Sequence, residues 1–188
     1  MAGTQFRPFA FIHFQSLSTS MNKCIFLDRD GVINKDNPDY IYKVDEFEIL
    51  PGVIEGLKKL KEEGYLLIVI TNQSGITKGI YTTEDMVACH DYFQEVSGQL
   101  IDKFYYSPYH PFYTESLTRK PGTLMFEKAL AKYSIDPSQS WMLGDKERDL
   151  EPAQKLGIKG ILLSSYLSND NWPTVHGMAQ AVQLIMKN

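Results

Sequence analysis

The run YLLIVIT at residues 65–71 is apolar up to its final threonine. A run of this kind lacks the polar alternation of a half-solvated strand, so it must be covered on both faces, as the strands of a parallel sheet are. The helical pattern PGVIEGLKKLKEEG (51–64) precedes it, with proline at its start and glycine at its end. The same alternation continues along the chain. KCIFLD (23–28), IDKFYYS (101–107), SWMLG (140–144) and GIKGILLS (157–164) read as four further strands. Helical patterns fall at 82–100, opened by a cap on Thr82 or Thr83, and at 121–133, 149–157 and 177–187. Strands separated by helices pair in parallel through right-handed crossovers. The expected fold is therefore α/β, a doubly wound three-layer α/β/α sandwich on a parallel Rossmann-like sheet. Neither the segment after the first strand nor the one after the second has room for a large cap domain, but residues 31–50 are long enough to form a functional flap.

A chain of 188 residues needs only one core. Residues 1–20 are aromatic-rich, carry Arg7 as their one formal charge and are weak as a signal peptide; they read as an extension outside the fold, with 21–188 as a single domain. No apolar run approaches the roughly 18 residues that suggest a membrane span. The net charge of −4 argues against a nucleic-acid coat or a polybasic membrane patch. The two cysteines, Cys24 and Cys89, suit a reducing cytoplasm, and the expected molecule is a monomer.

The chemistry gathers where strands end. In FLDRDGVIN (26–34) an apolar run stops at Asp28, with Asp30 two positions on. In an extended chain these carboxylates share a face and repel unless a cation, a substrate or both stand between them. Thr71 ends the second strand, Asp145 follows the fourth, and Arg119 and Lys120 precede the third helix. Each has an ordinary explanation alone, but all fall at the carboxyl edge of one sheet, where open α/β folds bind ligands. Asp28, Asp145 and a backbone carbonyl offer the oxygen ligands that Mg²⁺ prefers. Asp28 is then placed to attack phosphorus, Asp30 to move protons, and Lys120 with the Thr71 hydroxyl to hold the transferring group. Asp149, four residues beyond Asp145, would share its helix face and orient metal-bound water. An EF-hand loop fails, because glycine falls at its fourth position and valine at its fifth.

FLDRDGVIN, VITNQSGI, TRKPG and MLGDKERD, in that order over about residues 23–165, resemble the four motifs of haloacid dehalogenase superfamily phosphatases. Their wording is most similar to the heptose-bisphosphate and histidinol phosphatase branch. The resemblance implies that Asp28 is nucleophile and magnesium ligand, and that Asp30 is acid/base and carbonyl ligand. It implies that Thr71 and Lys120 stabilise the phosphoryl group and that Asp145 completes the metal site. Thr71, Asn72, Gln73, Ser74, Arg119, Lys120 and Lys146 match substrate-contacting positions, and Asp36 and Tyr40 of the flap are further candidates. That branch often carries a zinc loop of cysteines and histidine. Here Ser107, Tyr109, Ser116 and Thr118 stand at those places, so no zinc is expected. The implied activity is hydrolysis of a small phosphorylated sugar, a heptose bisphosphate first, with histidinol phosphate, or a non-catalytic phosphate sensor, as alternatives.

Overall fold

The computed structural model describes residues 21–164 and 170–188; the extension expected at 1–20 lies outside the described residues. Six strands are described: β1 (Cys24–Leu27), β2 (Leu66–Asn72), β3 (Lys103–Ser107), β4 (Trp141–Gly144), β5 (Lys159–Leu163) and β6 (Thr174–Val175). The helices are α1 (Val53–Glu62), α2 (Thr83–Ser97), α3 (Leu124–Tyr133), α4 (Glu147–Lys155) and α5 (Met178–Met186). All strand pairs are parallel, in the order β3-β2-β1-β4-β5-β6. No large cap domain interrupts the described residues.

Both faces of the central strands are buried, and their side chains divide by the period of two. Ile25, Leu27, Leu67, Val69, Leu143 and Ile161 pack with Leu57 of α1, Phe93 of α2 and Val182 of α5. The intervening Cys24, Phe26, Ile68, Ile70, Met142 and Leu162 pack with Phe126 of α3 and Leu150 of α4. Three layers follow directly. The chain moves to one side of β1 through β2 and to the other through β4, so β1 marks the switch point where a crevice opens.

Several element boundaries differ from the sequence reading. The two-residue strand β6 was not expected, because a Thr-Val pair after proline carries no periodic signal. Helix α1 begins at Val53 rather than Pro51, since Gly52 adopts a left-handed conformation (φ 76°) at its N-cap. Helix α4 begins two residues early, at Glu147, which puts Asp149 in its first turn. Of the two threonines before helix α2, Thr82 is the cap: its hydroxyl accepts from Asp85 N–H while the Asp85 carboxylate accepts from Thr82 N–H.

Candidate active site

Asp28 lies one residue beyond β1, anchored by its N–H donating to Leu143 O at 2.9 Å. Its Oδ1 accepts from Arg29 N–H at 2.8 Å and pairs with Lys120 Nζ at 2.9 Å. Lys120 arrives from the loop before α3 and is buried. Its Nζ donates to Ile70 O at 2.7 Å and pairs with Asp149 Oδ1 at 2.8 Å. The Lys120 backbone is clamped from both sides by Asn72, whose Oδ1 accepts from Lys120 N–H at 3.0 Å and whose Nδ2 donates to Lys120 O at 3.1 Å. Burial works to lower the Lys120 ammonium, but Asp149 and Asp28 outweigh it and hold it above its ordinary range. The lysine is a fixed cation, locked onto the carboxylate beside it.

Asp145 completes this side. Its Oδ2 pairs with Lys146 Nζ at 2.9 Å, while its buried Oδ1 has no hydrogen-bond partner among the described residues. Carboxylate oxygens of Asp28, Asp145 and Asp149 all lie within 4.8 Å of one another. Burial pushes the Asp149 carboxyl up to about 7, and the neighbouring Asp28 adds to that rise against Lys120. Burial raises Asp145 as well. The structure therefore places Asp149 inside the carboxylate cluster rather than behind it, and leaves the Asp30 side chain out. Gly144 is required here: a Cβ on it would lie 2.5 Å from Asp149 Cβ.

Asp30 has other company because the backbone turns immediately after Asp28. Arg29 O accepts from the N–H groups of Val32, Ile33 and Asn34, and Gly31 takes φ 85°. A side chain on Gly31 would also collide with the Asp145 carboxylate, so this glycine lets the turn pack against that residue. Asp30 Oδ1 accepts from Arg29 Nη2 and Asn34 Nδ2, both at 2.9 Å. Its Oδ2 accepts from Gln73 Nε2 at 3.0 Å. Arg29 Nε is shared between both oxygens at 3.2 Å. The same Gln73 amide donates to Thr71 Oγ1 at 3.0 Å, so the threonine's own proton is free to be donated elsewhere.

Between these groups lies a cleft of about 350 Å³. Asp28, Asp30, Thr71, Asn72 and Ser74 form its inner wall; Asp36 and Tyr40 enter from the flap; Arg119 and Lys146 stand at the rim. Gln73 and Lys120 are buried beneath it rather than lining it. Lys146 Nζ joins Asp36 of the flap, at 2.9 Å, to Asp145. Arg119 Nη1 donates to Tyr109 O at 3.1 Å, and burial together with nearby Arg148 lowers its guanidinium. Arg148 and His110 also line the cleft. Neither was singled out as a site residue from sequence, although Arg148 sits inside the MLGDKERD motif, three residues past Asp145. A larger groove of about 1070 Å³ lies along the flap, lined by Phe47, Tyr92 and acidic side chains. It holds none of the clustered carboxylates, so the chemistry points to the smaller cleft.

The 107–118 segment is held by hydroxyls. Ser107 Oγ and Thr118 Oγ1 lie 2.9 Å apart, Ser116 Oγ and Thr118 Oγ1 2.7 Å apart, and Thr118 N–H donates to Ser116 Oγ at 3.2 Å.

A buried lysine among carboxylates, at the switch point of a parallel sheet and under a cationic rim, is the arrangement of an α/β phosphoryl-handling site. A family model for haloacid dehalogenase-like hydrolases matches residues 20–163, and the chain belongs to that family. It is 38% identical over 146 residues to D-glycero-beta-D-manno-heptose-1,7-bisphosphate 7-phosphatase of Haemophilus ducreyi, covering 73% of this chain and 80% of the relative. It is 37% identical over 151 residues to D-glycero-alpha-D-manno-heptose-1,7-bisphosphate 7-phosphatase of Burkholderia mallei, covering 76% and 79%. In three dimensions it resembles the D,D-heptose 1,7-bisphosphate phosphatase from B. bronchiseptica complexed with magnesium and phosphate. That match has a TM-score of 0.79 at 26% identity and covers 88% of this chain and 98% of the other.

Proposed function

We propose that this chain is a magnesium-dependent phosphomonoesterase that removes the 7-phosphate of a heptose 1,7-bisphosphate through an aspartyl phosphate. The observation that carries this reading is the Asp28 carboxylate, pinned through Oδ1 by Lys120 and Arg29 N–H on the inner wall of a cleft that Arg119, Lys146 and Arg148 also line. The related 7-phosphatases and the magnesium and phosphate complex of the B. bronchiseptica enzyme support it. The residues fit a hard divalent cation. Asp28, Asp145 and Asp149 supply oxygens, Asp145 has an oxygen, Oδ1, without a hydrogen-bond partner among the described residues, and three carboxylates exceed the two ammonium groups, Lys120 and Lys146, that pair with them. When bound, magnesium would offset that excess and polarise the phosphoryl oxygens.

Asp28 attacks phosphorus and the ester P–O bond breaks. Asp30 gives a proton to the departing sugar oxygen, then takes one from the water that displaces Asp28 and releases phosphate. Thr71 donates its free hydroxyl proton to the transferring group. Lys120, with its donors directed at Asp28, Asp149 and Ile70 O, acts by fixing the nucleophile and by its charge. The 107–118 segment presents hydroxyls where thiolates would be needed, so it offers no zinc site. The test is phosphate release from both anomers of heptose 1,7-bisphosphate within a panel of phosphorylated metabolites, with magnesium present. Preferred cleavage of one anomer at the 7-position is expected; no release from any sugar phosphate would end this reading.

A further inference from the structure

Gln73 is buried, yet its side-chain amide touches two of the residues that handle the reacting group, Asp30 and Thr71. An amide can sit either way round, and its orientation is set by its partners. Here the third partner is Tyr81, which lies in the loop before α2 and is itself buried. Tyr81 Oη donates to Gln73 Oε1 at 2.7 Å. The Asp30 carboxylate can only accept, so it turns Nε2 toward itself and Thr71 Oγ1, and the Tyr81 hydroxyl, by donating to Oε1, completes and anchors that orientation. The reverse orientation would set the amide oxygen against the Asp30 carboxylate, acceptor against acceptor.

Tyr81 is also fixed mechanically. Its ring stacks on Tyr42 of the flap, with centroids 5.1 Å apart and planes 8° from parallel, and meets Tyr40 edge-on at 5.8 Å. The ring also lies against Gly75, where any Cβ would run into it. The tyrosine therefore connects flap, TNQSG loop and amide in one packed unit.

We propose that Tyr81, acting through Gln73, is a positioning residue for Asp30 and Thr71. It sets the carboxylate at the distance from which it exchanges protons and keeps the Thr71 hydroxyl proton available to the phosphoryl group. This rests on the phosphatase reading above. Losing a single neutral hydrogen bond is worth about fivefold in rate where the contact matters in the transition state.

The test is a double-mutant cycle of Tyr81→Phe, Gln73→Leu and the pair, assayed at saturating magnesium, with melting temperatures measured alongside. Tyr81→Phe keeps both ring contacts, so it should stay folded with a melting temperature close to wild type. The expected result is a fall in kcat of about fivefold with KM unchanged, a larger fall for Gln73→Leu, and a double variant no worse than Gln73→Leu alone. An unchanged kcat for Tyr81→Phe, or losses that multiply in the double variant, would overturn the proposal. The Gln73 side-chain amide resonances give a readout independent of turnover. They should shift and exchange faster with solvent in Tyr81→Phe, and identical amide signals in both proteins would also overturn it. Inactive wild-type protein would instead count against the phosphatase reading, with the amide signals still deciding the relay.

Discussion

Asp28 and Asp30 are two residues apart and border the same cleft, yet their surroundings are opposite. Asp28 shares its space with two more carboxylates and a buried lysine, and next to it Asp145 Oδ1 has no hydrogen-bond partner among the described residues. Asp30 is surrounded by donors from Arg29, Asn34 and Gln73. One carboxylate stands in a region with negative charge to spare, the other in a network where the Arg29 guanidinium balances its charge. The first is suited to collect a cation and a phosphoryl group; the second is suited to hold a side chain still while protons come and go. Nucleophile and proton carrier are thus given different surroundings by the backbone turn that begins at Arg29, whose O accepts from Val32, Ile33 and Asn34 N–H.

The largest effect should come from Asp28→Asn, which removes the nucleophile from the charged side and should abolish turnover with the circular dichroism spectrum unchanged. Asp30→Asn strikes the other side and should stall the cycle later, with a trapped aspartyl phosphate as the expected species. A folded Asp28→Asn protein releasing phosphate at the wild-type rate would erase the division of labour between the two. Next in size is Lys120→Met. It leaves Asp28 and Asp149 buried without their cation, and should cost about 3–5 kcal/mol in urea unfolding. A loss under about 1 kcal/mol would mean that the lysine compensates little there.

How much of this was legible in the sequence depends on the kind of information needed. YLLIVIT and KCIFLD announced a buried parallel sheet, because continuous apolar runs have few other uses, and the strand ends then placed Asp28, Thr71 and Asp145 at one edge. The pairing of Asp28 with Asp30 as same-face neighbours was misleading. It assumed an extended chain, and β1 stops at Leu27, before either residue. Gln73 was grouped with its neighbours as a substrate contact because motif spacing says which residues are near a site, not which way an amide faces. Tyr81 carried no signal at all: its role arises from the vacancy at Gly75 and two flap tyrosines brought to it by the fold. The start of α4 at Glu147 decided whether Asp149 joined the cluster, and that boundary was two residues off.

The cationic rim gives a smaller effect that sharpens the comparison by asking what lies beyond both carboxylates. Arg119 stands at the cleft, where burial and then nearby Arg148 lower its guanidinium, and its side chain donates to a backbone oxygen, Tyr109 O. A second anionic group on the substrate would meet both arginines. A sugar bisphosphate should therefore have a higher kcat/KM than the matching monophosphate, and Arg119→Ala should narrow that gap by about 1.5–3 kcal/mol. An unchanged ratio at fixed ionic strength would make the arginine a solvated corner and remove the reason for preferring a doubly phosphorylated substrate.

The smallest effect concerns the foundation of the Asp30 side. Arg29 is buried with Nη1 unpartnered among the described residues, and His90 of α2 is buried in the field of that same guanidinium, stacked on Phe104 at 4.2 Å. Burial first, and the Arg29 charge second, depress the His90 imidazole to about 3. Its proton affinity is therefore lower in the folded state than in the unfolded one, where the ordinary value near 6.5 applies. The unfolded chain takes up a proton as pH falls below about 6.5, and the folded one does not until about 3. The stability that a neutral His90 provides is thus complete above the unfolded value and drains away across that window. Between pH 6 and 5 the loss should be about 1 kcal/mol in urea unfolding. Phenylalanine keeps the stack and has no proton to gain, so His90→Phe should flatten the acid slope by that amount while the other titrating groups contribute equally to both proteins. Parallel slopes in wild type and variant would show that His90 titrates normally, and that Arg29 does not impose on its buried neighbours the charge constraint by which it holds Asp30.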